Sequence, residues 1–147
     1  MPAKYICRVM TLTLLAGIFI TDRATAQSST PFDGNWDVVL TCPPHNEEED
    51  DAKGYTHRFT GKIVAGTLTA TYGTEGQPGW HLLRGDIAPD GKAELRLEGI
   101  VSRAEYAVNK ATKGKPYSYR VRANFEPTKG TGQRVGRRKC DFRFAKN

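Results

Sequence analysis

The sequence predicts a small all-β domain, a closed up-and-down (meander) barrel of seven or eight antiparallel strands. Three observations predict it. Apolar residues recur at every second position in one segment after another. Turn-forming residues separate those segments. Two cysteines, Cys42 and Cys140, stand near opposite ends of the region that carries the pattern. The 147 residues are one domain's worth of chain, with 38% hydrophobic and 26% charged residues, which excludes a multidomain machine and a disordered tail.

Trp36, Val38, Leu40 and Cys42 share one parity and make the first strand. In the second, Tyr55, His57, Phe59 and Ile63 alternate with Thr56, Arg58, Thr60 and Lys62. In the third, Leu68, Ala70 and Tyr72 alternate with Thr67, Thr69 and Thr71. Leu83, Gly85 and Ile87 share a face of the fourth, and Ala93, Leu95, Leu97 and Gly99 a face of the fifth. Tyr117, Tyr119, Val121, Ala123 and Phe125 alternate with Ser118, Arg120, Arg122 and Asn124 in the sixth. Cys140, Phe142 and Phe144 alternate with Asp141 and Arg143 in the last. Period two with one apolar face marks half-buried antiparallel strands. Ala65-Gly66 and Pro89-Asp90-Gly91-Lys92 are hairpin signals, while GTEGQPG (73–79) and TKGTG (128–132) read as loops. Residues 102–110 are the remaining candidate for a short helix or an eighth strand. A meander must close or stack to hide its edges, and pairing Cys42 with Cys140 favours closure.

Residues 1–26 carry the pattern of a cleaved secretory signal. Lys4 and Arg8 supply the basic start, 9–20 a mostly apolar run too short to span a bilayer, and Ala24-Thr25-Ala26 a small-x-small cleavage site. The expected domain is therefore 27–147, exported to the periplasm or beyond, with no membrane span. Removing Lys4, Arg8, Arg23 and Asp22 from 22 basic and 16 acidic residues leaves 19 and 15, a net charge of +4. That mild excess does not imply a nucleic-acid partner. Cys7 leaves with the signal, and the remaining pair in an oxidising compartment predicts a Cys42–Cys140 disulfide.

Gly34-Asn35-Trp36 resembles the G-x-W opening of the lipocalin and avidin barrels. In lipocalins that tryptophan closes the barrel base and stacks against a basic side chain of the last strand. The resemblance implies such a role for Arg143, or for Arg138 with a bulge. Biotin binding is not implied, because Trp80 is the only other tryptophan. FDGNW (32–36), LTCPP (40–44), YGTEGQPGW (72–80), APDGKAEL (88–95), PYSYRV (116–121) and GTGQRV (130–135) resemble a family of small exported bacterial proteins without an assigned activity. That resemblance implies secretion and a β fold, and nothing about chemistry.

The candidate functional residues are few. The loop 45–51 (HNEEEDD) holds five consecutive acids but lacks the alternating oxygen ligands and glycine turn of a calcium loop, so it reads as a solvated loop. His45, His57 and His81 show no H-x-H or H-x₃-H spacing, so no metal site is expected; His57, in phase with Tyr55 and Phe59, faces inward. The segment 73–80 cannot be a P-loop, because no lysine follows its glycines and a strand follows it; Trp80 either closes over a ligand or plugs the barrel. No nucleophile–base pair stands out, so no enzyme activity and no cofactor are expected.

The favoured expectation is a non-enzymatic binding barrel for a small apolar or aromatic molecule. Gly61, Ala70, Gly85, Gly99 and Ala123 leave room inside, and Tyr55, His57, Tyr72, Trp80, Tyr117 and Tyr119 contact the ligand. The alternative is a protein-interaction or inhibitor module acting through rim loops 43–54 and 73–80, or through an arginine face. Arg120, Arg122, Arg137 and Arg138, with Arg134, Lys139 and Arg143, would form that face if the sixth and last strands pair, and it would suit anionic groups. A third reading, a hydrolase or isomerase, requires a buried acid beside His57.

Overall fold

The computed structural model describes residues 29–46 and 51–147. The expected signal segment and residues 47–50 of the acidic loop lie outside them. The described residues form eight strands: β1 (Gly34–Cys42), β2 (Tyr55–Val64), β3 (Thr67–Tyr72), β4 (His81–Asp86), β5 (Lys92–Ile100), β6 (Pro116–Phe125), β7 (Lys129–Arg134) and β8 (Asp141–Lys146). Each strand pairs antiparallel with the next, and β8 returns to β1, closing an up-and-down barrel without a free edge. The Cys42–Cys140 disulfide joins the end of β1 to the residue before β8, across 98 positions of sequence.

The eighth strand is β7 and not 102–110, which instead makes two 3₁₀ turns, Ala104–Tyr106 and Val108–Lys110. Residues 129–132 belong to β7 although their composition marks a loop. The alternation is present there, but its inward positions are the buried Gly130 and Gly132. A Cβ on Gly130 would stand 3.0 Å from the Phe125 ring, and one on Gly132 would stand 3.2 Å from Ala123 and Val121. Large side chains on β6 fill the space that apolar residues of β7 would need. Because β7 lies between β6 and β8, the outward arginines of those two strands do not form one wall.

The two ends of the barrel differ. At one end the connections are short, and Phe32, Trp36, Phe125 and Phe144 plug the base. Trp36 is fully buried, meets Phe125 edge-on at 5.5 Å, and donates its indole N–H to the carbonyl oxygen of Phe32. The cation expected against its face is absent. Arg143 pairs with Val39 and faces outward, and Arg138 lies at the other end of the barrel. The residue of β8 opposite Trp36 is Lys146, whose Nζ donates to the carbonyl of Pro31 at 3.1 Å. The Asp33 carboxylate accepts the N–H groups of Ala65 and Gly66, both at 2.9 Å, and the Thr30 hydroxyl at 2.6 Å. The Thr30 and Gly66 bonds lead in holding its pKa down to about 2. Those two amide bonds secure a hairpin turn in which Ala65 takes φ 49°, a left-handed conformation that a Cβ disfavours.

Above the base, Leu40, Leu83, Leu95, Leu97, Val121 and Phe142 fill the barrel axis, each at most 1% exposed. The small inward residues leave no room there, contrary to expectation. A Cβ on Gly61 would lie 2.6 Å from that of Ala70, and one on Gly99 would lie 2.7 Å from the Tyr117 ring. A cavity against the barrel interior opens at the other end, where the connections 73–80, 101–115 and 135–140 and the described parts of 43–54 converge.

Candidate pocket at the barrel mouth

Strand parity builds this mouth. Tyr55 and His57 point inward from the start of β2, Tyr72 from the end of β3, and His81 from the start of β4. Tyr117 and Tyr119 do so from the start of β6 and Arg134 from the end of β7. The connection 101–115 folds over them, and a cavity of about 390 Å³ lies between. Its barrel side is Tyr55, His57, Tyr117 and Arg134, and its lid side includes Ile100, Val101, Tyr106, Ala107, Val108 and Ala111. Gly79 reaches the cavity from the 73–80 connection.

The lid has no helix or strand to hold it, so hydrogen bonds do. Val101 N–H donates to Lys115 O and Gly114 N–H to Val101 O, which closes the base of the connection. Lys53 N–H donates to Glu105 O at 2.7 Å. Arg138 completes the fastening. Its guanidinium donates to Tyr106 O at 2.6 Å, Lys53 O at 2.6 Å and Pro43 O at 3.1 Å, and lies 5.1 Å from the centroid of the Tyr55 ring. At 2% exposure Arg138 is a buried clamp between three connections and no part of an anion-binding surface. Arg120 and Arg122 do face outward, but Arg120 is paired with Glu94 at 3.0 Å, and Arg122 sits opposite Glu94 in register. Arg137 is exposed in the β7–β8 connection.

Below the cavity three rings lie nearly parallel. His57 stacks on Tyr72 at 4.2 Å, Tyr72 on His81 at 4.9 Å, and the two imidazoles stand 5.2 Å apart. His57 Nδ1 and His81 Nε2 are buried without a hydrogen-bond partner. Burial, and then the nearby His57, pull the pKa of His81 down to about 3; burial lowers His57 as well. Both imidazoles are neutral at pH 7, and among the described residues neither has a carboxylate partner.

Three tyrosines and the Arg134 guanidinium face the interior, and Arg138 and Arg103 also line the cavity. Burial raises the phenol pKa of Tyr55, Tyr117 and Tyr119, while the Arg134 guanidinium pulls each one down in part. All three remain protonated. The hydroxyl of Tyr119 is buried without a partner. The Arg134 guanidinium carbon stands 4.2 Å from the centroid of the Tyr119 ring, and its Nε is buried and unpartnered.

Of the six residues proposed from sequence to touch a ligand, Tyr55, His57 and Tyr117 line the cavity. Tyr72 and Tyr119 stand behind them, against His57 and Tyr117. Trp80 is half-buried just before β4, where its carbonyl accepts Ile100 N–H; the neighbouring Gly79 lines the cavity instead. Sequence reasoning missed Arg134 and the lid. Arg134 shares parity with Gly130 and Gly132, so reading 129–134 as a strand would have turned it inward. The described residues contain no group of three His, Cys, Asp or Glu able to hold a metal ion. No helix among them is long and apolar enough to cross a membrane. No protein-family model, curated protein or solved structure matches the chain.

Proposed function

We propose that the protein is an exported, non-enzymatic binding barrel that holds a small apolar or aromatic molecule in the mouth pocket. The observation that carries this reading is a concave site of about 390 Å³ over an otherwise filled barrel. That volume lies in the range of small-molecule sites, which combine apolar walls with a few convergent polar groups. Here the walls are Val101, Ala107, Val108 and the tyrosine rings, and the polar groups are the Tyr55 and Tyr117 hydroxyls, His57 and Arg134. The disulfide supports an oxidising compartment, and with it export. A catalytic reading has less support, because a histidine base works with a group that orients it, and the His57–Tyr72–His81 stack supplies only rings.

The test is a fluorescence titration with 1-aminoanthracene, beside native mass spectrometry of protein purified from exporting cells. Saturable binding by the wild type is expected, and so is its loss in Ala107→Trp, which places an indole in the cavity. Binding that survives in Ala107→Trp, or no binding by the wild type, removes the mouth pocket as the ligand site.

A further inference from the structure

We propose that the ligand is a monocarboxylate, a small planar apolar molecule whose carboxylate lies against Arg134; this rests on the pocket reading above. Arg134 is the observation. It points inward from the last position of β7, in phase with two buried glycines. Its guanidinium lies over the face of Tyr119, and its Nε is buried without an acceptor. Among the described residues no carboxylate is within ion-pair distance of it.

The ion-paired arginines and Arg138 make the contrast. Arg84 and Arg96 are paired with Glu98, Arg120 with Glu94 and Arg103 with Glu105, all in solvent, where pairing matters least. Arg138 also lines the cavity and is buried, but its two terminal nitrogens donate to three carbonyl oxygens. Arg134 is thus a half-buried cation, its Nε shut off from water, that faces the cavity. A charge partly shielded from water and without a counter-ion is held at a cost, so the pocket favours an occupant that brings one.

The surroundings set what kind of anion fits. One guanidinium offers a planar fork that matches a carboxylate through two parallel N–H donors. A dianion would need a second cation; Arg138 is committed to carbonyl oxygens, and Arg103, at the exposed edge of the cavity, lies beside the Glu105 carboxylate. The Tyr55 and Tyr117 hydroxyls line the same cavity and are donors at neutral pH. His57 and His81 are neutral and add no competing charge. Opposite the polar groups, Val101, Ala107 and Val108 offer an apolar wall to the body of the ligand.

The experiment compares two probes of nearly equal shape, 9-anthracenecarboxylate and the neutral 9-anthracenemethanol. One charge-assisted contact predicts a preference of about ten- to a hundredfold for the carboxylate in the wild type. High salt should weaken the carboxylate probe and leave the alcohol unchanged. In Arg134→Gln the preference should vanish, with the carboxylate probe losing affinity by about that factor relative to the alcohol. Equal binding of both probes by the wild type, or a preference that survives in Arg134→Gln, overturns the carboxylate inference and leaves the pocket reading intact. Failure of both probes to bind the wild type overturns both readings. The wild-type comparison and its salt dependence decide the matter even if Arg134→Gln does not fold.

Discussion

The indole N–H of Trp36 reaches back four residues to the carbonyl oxygen of Phe32, 2.8 Å away, and both rings pack on Phe125. This bond ties the segment before β1 to the plug of the barrel, so the tryptophan is structural. Trp36→Ala is expected to cost about 3–5 kcal/mol, because a large cavity opens among side chains that cannot collapse into it. Trp80→Ala, at a half-buried rim position, should cost far less. Thermal unfolding of the two variants side by side checks the ranking, and the reverse order would remove Trp36 from the plug.

The Cys42–Cys140 bond closes a loop of nearly the whole described chain. Loss of a native disulfide from a small secreted domain costs roughly 2–5 kcal/mol, mainly through the unfolded state. Cys140→Ser should therefore lower the unfolding free energy measured by urea titration by that amount. The intact mass of exported protein should fall short of the reduced value by two hydrogens, and labelling of both thiols without prior reduction would contradict the bond.

Acid should weaken the barrel before carboxylates titrate. The folded-state pKa of His81 lies near 3, below its unfolded value of 6.5, so the unfolded chain binds more protons between those limits. Stability is full above about pH 6.5 and falls as pH drops through that window, by up to about 1.4 kcal/mol per pH unit for each such histidine. His57, also lowered, adds to the slope. Asp33 acts lower down, from its ordinary value of 3.8 towards about 2. His81→Phe keeps a ring in the stack and removes the titration. Urea midpoints measured from pH 4.5 to 7 should then vary about half as steeply, and an unchanged slope would exonerate His81.

Arg138→Met should lower stability by about 3–5 kcal/mol, because three carbonyl acceptors lose a buried cation at once. The damage should be local to the mouth. Hydrogen exchange should speed up at 101–115 and 51–54 and stay slow in β1, β5 and β8. Uniform acceleration across the barrel would mean that Arg138 is no clamp.

Strands with apolar inward residues were legible from sequence because period two is visible one strand at a time. β7 was not legible, since its inward residues are glycines whose smallness answers to Phe125 and Val121 on another strand. The same blind spot hid Arg134, which looks like one more surface charge until its strand and parity are known. The Cys42–Cys140 bond was legible by counting alone. The lid was hidden for a different reason. Two 3₁₀ turns carry no periodic signal, and the clamp that holds them reaches carbonyls 32, 85 and 95 residues from Arg138. Backbone acceptors leave no mark in the amino-acid sequence.

The seam between β1 and β8 has a consequence for the order in which the molecule assembles. Seven of the eight strand pairings join neighbours in sequence, and only this one joins distant parts of the chain. Hairpins with short connections form early, because little loop entropy opposes them, whereas the seam must wait for a closure spanning the whole domain. Cys42 and Cys140 meet only across that seam. Oxidation therefore acts as a latch on a ring already formed, and the rate at which the two thiols disappear during refolding is a clock for barrel closure.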